Sequence, residues 1–151
     1  MMASGAERFR EATARLDLEI QQVPQSTHTA QEAADAVGAP LAAIVKSLVF
    51  IADTPVLVLV SGANMADMST LEAFLGTSCR KATADEVKNA TGWSIGGVPP
   101  FGHPTPLRTV MDEDFFALET VWAAAGSADA VFPISPNRLR ELASADIARV
   151  S

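Results

Sequence analysis

A single cysteine, Cys79, stands in a chain of 151 residues. No intramolecular disulfide and no cysteine-built zinc site can form, as expected of a protein kept in a reducing cytoplasm. Long apolar runs are also missing. Those over Ile44–Ile51 and Val56–Val60 are interrupted or bordered by Lys46, Asp53 and Pro55; they are strand-length, well short of the ~20 residues a membrane helix needs. Met1 to Glu7 show no basic segment leading into an apolar one, so no signal peptide is expected. Positive charge is scarce: 11 Lys and Arg against 18 Asp and Glu leave a net charge of −7. That excludes wholesale binding along a nucleic-acid backbone but permits contact with one end of an RNA through a local patch. Arg80, Lys81 and Lys88 form one candidate patch and Arg8, Arg10 and Arg15 another, although the plain reading of either is a solvated charged face. The two histidines, His28 and His103, lack a ligand spacing, so neither a metal nor another cofactor is expected. No Gly-x-Ser-x-Gly elbow anchors a serine-hydrolase triad. No βαβ rhythm or phosphate-binding glycine fingerprint supports a Rossmann or P-loop fold.

What is present is a globular composition, 48% hydrophobic and 19% charged, with a length that suits one domain over residues 1–151. Helix starts are well marked. Ser4-Gly5-Ala6-Glu7, Thr29-Ala30-Gln31-Glu32 and Thr83-Ala84-Asp85-Glu86 are capping-box patterns. Phe9 and Leu16 follow the first at helical spacing, while Gly38 and Gly92 stop the other two. Asp67 and Ser69 compete to cap Met68–Leu75, which ends at Gly76. Ser135-Pro136 supplies an N-cap and first helical residue for Asn137–Ala143. Between the helices, Ser47–Ala52 and Val56–Ser61 read as a hairpin turned by Asp53-Thr54-Pro55. Leu107–Met111, Thr120–Ala124 and Ala130–Ile134 are further strands, with Gly126 to Asp129 as a second hairpin turn. Glu19–Val23, Ser78–Ala82 and Ile147–Val150 are candidate edge strands. Hairpins among scattered helices predict an α+β fold with a mainly antiparallel or mixed sheet.

Two features invite chemistry. Lys46 shares a strand face with Leu48 and Phe50, where an ammonium needs water, a carboxylate or a ligand; a snorkelling side chain is the ordinary alternative. Downstream, Gly92-Trp93-Ser94-Ile95-Gly96-Gly97-Val98-Pro99-Pro100-Phe101-Gly102-His103 joins permissive glycines to rigid prolines. Adjacent glycines let backbone N–H groups approach a carbonyl or oxyanion without a Cβ in the way. The alternative is a tight helix-to-strand connection. His103 could serve as a general base, and Cys79 as a thiol nucleophile or a small core residue. The acidic run Asp112-Glu113-Asp114 reads as a cap for Phe115–Leu118 rather than a catalytic carboxylate pair.

Together these segments resemble the YbaK/ProX family of free-standing trans-editing aminoacyl-tRNA deacylases, related to the editing domain inserted in bacterial prolyl-tRNA synthetase. Ile44-Val45-Lys46-Ser47-Leu48-Val49-Phe50 resembles its lysine strand. Gly96 to Gly102 resembles its Gly-x-x-x-Pro loop, and Val121 to Leu142 its C-terminal pattern. The resemblance covers Thr27 to Leu142. It implies a bent mixed sheet, partly barrel-like, flanked by helices, with a pocket between lysine strand and loop. It also implies hydrolysis of the ester between an amino acid and the tRNA 3′-terminal adenosine, the water being assisted by the substrate's ribose hydroxyl. In that reading Lys46 orients the terminal nucleotide or its phosphate, Gly96 and Gly97 hold the carbonyl, and Pro100 fixes the loop. His103 and Asp129 take binding roles. Leu48, Met65, Ser94, Val98 and Phe101 are candidate walls of a pocket selecting a small residue, alanine or cysteine, on tRNA-Pro. A synthetase or elongation factor would then supply much of the tRNA selection. A non-catalytic tRNA- or nucleotide-binding module with the same pocket is the rival reading.

Overall fold

The structure, a computed structural model, describes residues 4–24 and 29–151. His28, Thr27 and the first three residues of the segment read for a signal peptide lie outside the described residues.

Side-chain caps set the helices where the sequence places them. Ser4 Oγ accepts the Glu7 amide at 3.1 Å and opens α1, Gly5–Ala12. Leu16 falls beyond that helix, in a 3₁₀ turn over Ala14–Leu16. After β1 (Gln21–Gln22), Thr29 caps α2 (Ala30–Val37), and Gly38 ends it at φ 70°. β2 (Val45–Ile51) and β3 (Pro55–Ser61) follow. Asp67, not Ser69, caps α3 (Met68–Leu75). After β4 (Arg80–Lys81), α4 (Ala84–Thr91) opens on a reciprocal capping box of Thr83 and Glu86. The chain continues through β5 (Arg108–Asp112), β6 (Val121–Ser127), β7 (Ala130–Ile134), α5 (Pro136–Ala143) and β8 (Asp146–Ala148).

The strands make two sheets. One has the order β4-β2-β3-β5-β8, antiparallel across β4, β2 and β3 and parallel across β3, β5 and β8. The other, β1-β7-β6, is antiparallel. They meet at a parallel bridge between Ile44 and Trp122. The fold is α+β with mixed sheets as expected, but the partly barrel-like closure is corrected: among the described residues neither sheet closes on itself. The second hairpin also differs in detail. β6 runs to Ser127 through an irregular register after Ala124, so the tight turn shrinks to Ala128-Asp129.

β3 lies in the middle of the larger sheet and is buried on both faces. Because strand side chains alternate, Leu57 and Leu59 enter one core with Phe9, Phe115 and Phe132. Val56, Val58 and Val60 enter a second core with Phe50, Leu71 and Val150. Cys79 packs against this second core; burial and the nearby Glu72 carboxylate raise its thiol pKa, which leaves it a poor nucleophile.

Candidate active site

The hairpin brings the start of β2 to the junction of the two sheets, where a cleft of about 490 Å³ opens. Its floor is Lys46, Ser47 and Leu48. One wall is α2, which presents Ala30, Ala33 and Val37 at spacings of three and four on one helix face. The opposite wall is Trp122, Ala123 and Ala124 of β6, and Gly96 and Val98 of the loop close one side. Seven of these eleven residues are alanine, glycine or valine, so the cleft is apolar and its width is set by backbone as much as by side chains.

Lys46 pairs across the hairpin with Val60 and donates from Nζ to the Asn64 carbonyl. Burial pulls its pKa below the usual lysine value, while the Asp112 carboxylate works the other way. Asp112 itself is buried, and its oxygens accept from the Ser61 amide, Asn64 Nδ2 and the Asp114 amide, each at 3.0 Å. Asn64 Nδ2 also donates to Asp114 at 2.7 Å. The expected capping role of the acidic run therefore holds, since the Asp112 side chain caps the 3₁₀ turn Glu113–Ala117. The same carboxylate also ties three chain segments together beneath Lys46. Beside it, Ser47 Oγ is buried with no hydrogen-bond partner among the described residues, the kind of group a polar ligand atom would satisfy.

The loop is held from behind. Gly96 adopts φ 91° with open space where a Cβ would stand. The Gly97 amide turns back to the Ser94 carbonyl at 3.0 Å. A Cβ on Gly97 would lie 2.8 Å from Ser127 Cα, so the loop backbone rests directly on β6. Of the two amides, only that of Gly96 is left without a backbone carbonyl partner among the described residues. Pro100 and Phe101 are buried, the latter against Phe9 and Phe132 at centroid distances of 5.8 and 5.7 Å.

Of the residues singled out in the sequence, the structure brings Lys46, Leu48, Gly96 and Val98 to the cleft. Gly97 and Pro100 support the loop from outside the lining. Phe101 is core, Ser94 is exposed beside the cleft, and Met65 projects into solvent at 83% exposure. Asp129 closes the second hairpin, accepting from Ser127 Oγ at 2.6 Å and Gln22 Nε2 at 2.7 Å. Sequence reasoning missed Asn64, the cleft wall on α2 and the buried tie at Asp112. The signal for the last was a carboxylate directly after the apolar pair Val110-Met111 at the end of a strand. Neither basic patch is a bare cluster: Arg80 pairs with Glu86 at 2.7 and 2.8 Å, and Arg8 lies over Trp93, 4.9 Å from the ring centroid. Among the described residues no group of three His, Cys, Asp or Glu side chains gathers as a metal ion would require.

His103 does not line the cleft. Its Nε2 lies 2.8 Å from the Pro99 carbonyl; a carbonyl only accepts, so this nitrogen carries the proton. Burial lowers the ring's pKa below 6.5, leaving it neutral at pH 7. A depressed folded pKa means the unfolded chain binds protons first, so this contribution is present above pH ~6.5 and is lost as pH falls through the folded value. His103→Ala is expected to lose about 1–2 kcal/mol through the broken latch, and His103→Gln to retain most of it. In thermal melts from pH 5 to 8, the Gln variant's Tm should fall less on acidification than the wild type's. An equal fall would exclude His103 as the titrating group.

Comparison with known proteins agrees with this fold. The aminoacyl-tRNA editing domain family matches residues 24–142. YwhH of Bacillus subtilis (strain 168), an uncharacterized protein, is 30% identical over 125 residues, 82% of this chain and 80% of its own length. The proline–tRNA ligase of Latilactobacillus sakei subsp. sakei (strain 23K) is 32% identical over 150 residues; these are 97% of this chain and 26% of the ligase, so the chain spans about a quarter of that relative. The crystal structure of a candidate trans-editing enzyme for prolyl-tRNA synthetase superposes with a TM-score of 0.94 at 41% identity, covering 100% of this chain and 99% of that one.

Proposed function

The chain belongs to the aminoacyl-tRNA editing domain family and is a hydrolase of the aminoacyl ester of tRNA; from that premise we propose that it clears a small wrong amino acid, alanine, cysteine or one of similar size, from tRNA-Pro, acting in trans. The observation that carries this reading is the meeting of Lys46, the unpartnered Ser47 hydroxyl and the Gly96 amide in one cleft with small apolar walls. Lys46 holds the terminal nucleotide or its phosphate by a charge-assisted bond. The Gly96 amide donates to the carbonyl oxygen, which gains negative charge as water adds. Gly97 permits the close contact with β6 that fixes this amide, and Pro100 limits the loop's freedom. The proton of the attacking water passes by way of the vicinal ribose hydroxyl to the departing ribose oxygen, giving free amino acid and intact tRNA. The tRNA-Pro assignment is supported by the likeness to a proline–tRNA ligase segment and to the candidate trans-editing structure. A synthetase or elongation factor that delivers the tRNA is the expected partner.

Selection in such a cleft is by size. Each added methylene shifts discrimination by about 1–3 kcal/mol, or 10- to 200-fold. The test is a panel of tRNA-Pro charged with alanine, cysteine, serine, 2-aminobutyrate or proline, together with alanyl-tRNA-Ala. Preferred hydrolysis of one small residue on tRNA-Pro, with prolyl-tRNA spared, is the expected result. Ala33→Leu, which narrows the cleft from α2, should reduce turnover of the larger substrates before that of alanine. Equal turnover of the prolyl ester would sink the size argument, and measurable tRNA binding without hydrolysis would favour a binding module.

A further inference from the structure

Lys46 does not hold itself in place. Its ammonium bonds to a main-chain carbonyl, that of Asn64, in the segment that follows β3. Asn64 is anchored in turn by its side chain, whose one amide nitrogen donates to both Asp112, at the end of β5, and Asp114. Asp112 also receives the Ser61 amide, so β3, β5 and the Asn64 segment converge on one buried carboxylate. We infer that Asn64 is a positioning residue for this reaction: clamped between the two aspartates, it presents its carbonyl to Lys46 and fixes where the ammonium meets the substrate. The inference rests on Lys46 being the group that holds the terminal nucleotide.

The physical case is one of mobility. A lysine carries about 2 kcal/mol of rotamer entropy, and an ammonium free to wander must be ordered when substrate binds. A carbonyl pinned at both side-chain hydrogens meets that ordering requirement in advance. Asn64 does not line the cleft, so it acts through Lys46 rather than on the substrate.

The experiment is a double-mutant cycle in deacylation kinetics. Asn64→Ala removes the anchor while leaving a backbone carbonyl, and is expected to raise KM about 10-fold with kcat within about 2-fold of wild type. Asp114→Ala, at an exposed site, removes half the clamp and should show a smaller rise in KM. In a Lys46→Ala background Asn64→Ala should have no further effect, because its partner is gone. Independent effects of the two substitutions, or a fall in kcat at unchanged KM, would overturn the positioning role. A second readout does not depend on activity: trace acetylation of Lys46, with Lys81 and Lys88 as internal standards. Its relative labelling should rise several-fold in Asn64→Ala. If wild type hydrolyses no substrate, the proposed function fails and labelling alone decides: a rise sustains the positioning of Lys46, and no change overturns it.

Discussion

Lys46→Met is expected to lower kcat/KM for a small aminoacyl-tRNA by about 100-fold or more while leaving Tm unchanged or slightly raised. The loss follows from removing the charge-assisted bond by which Lys46, on the cleft floor, holds the terminal nucleotide, an interaction of about 3 kcal/mol. The stability side follows from burial. The folded pKa of Lys46 lies below its ordinary 10.5 because desolvation disfavours the charged form. The unfolded chain therefore binds this proton more tightly than the folded one. Burial of the charge opposes folding at pH 7, and that penalty fades only as pH rises through the folded pKa towards the ordinary value. Methionine keeps the length of the stem and removes the penalty; the Asn64 carbonyl, at a half-exposed position, can turn to water. The enzyme-dependent rate of wild type should also fall at alkaline pH as Lys46 loses its proton, a limb that the Met variant lacks. Steady-state kinetics and a melt on the same preparation check this. Activity retained with Tm lowered would make Lys46 a structural residue and remove the chemical assignment.

Much of the fold was legible because the decisive interactions are local. A Thr or Ser that accepts an amide three residues on needs no tertiary information, and each N-cap read from the sequence holds at Ser4, Thr29, Thr83 and Ser135. At Met68–Leu75 two candidates competed, and Asp67 won because a carboxylate can accept from both the amide and the hydroxyl of Thr70. Short edge strands were harder. Glu19–Val23 reduces to Gln21–Gln22 and Ser78–Ala82 to Arg80–Lys81, since an edge pairs only as far as its partner reaches. The cleft was half legible. Lys46 and Gly96 stand out by violating their surroundings, one a charge in an apolar strand and the other a glycine among prolines. The far walls are mostly alanines of α2 and β6, with Val37 and Trp122, and the alanines carry no signal until the two sheets are placed side by side. Met65 and Phe101 show the converse: nearness in sequence to a marked residue does not say which face a side chain takes. One went to solvent and the other to the aromatic core.

Gly126→Ala is expected to be the most damaging small substitution in the chain, costing about 3–5 kcal/mol and lowering Tm by roughly 10 °C. Three backbone segments cross at this point. A Cβ on Gly126 would lie 2.3 Å from the Gly5 carbonyl oxygen and 2.7 Å from its carbon, and a Cβ on Gly5 would lie 2.2 Å from the Gly126 oxygen. The φ of 98° at Gly126 adds strain for any other residue. Neither obstacle is the end of a flexible side chain, so α1 must move away from β6. With it goes the bond from Trp93 Nε1 to the Gly5 carbonyl, 2.9 Å long. The damage reaches the cleft because Gly97 rests on the same Gly126-Ser127 backbone. A displaced β6 withdraws support from the loop that aims the Gly96 amide, so deacylation should fall further than the folded fraction does. Gly76→Ala is the control. Its φ of 76° is also positive, but nothing lies within 4 Å of the added methyl, so it should lose only about 1 kcal/mol. Denaturant melts of the two variants separate close backbone approach from φ alone, and equal losses would show that the crossing at Gly126 tolerates a side chain.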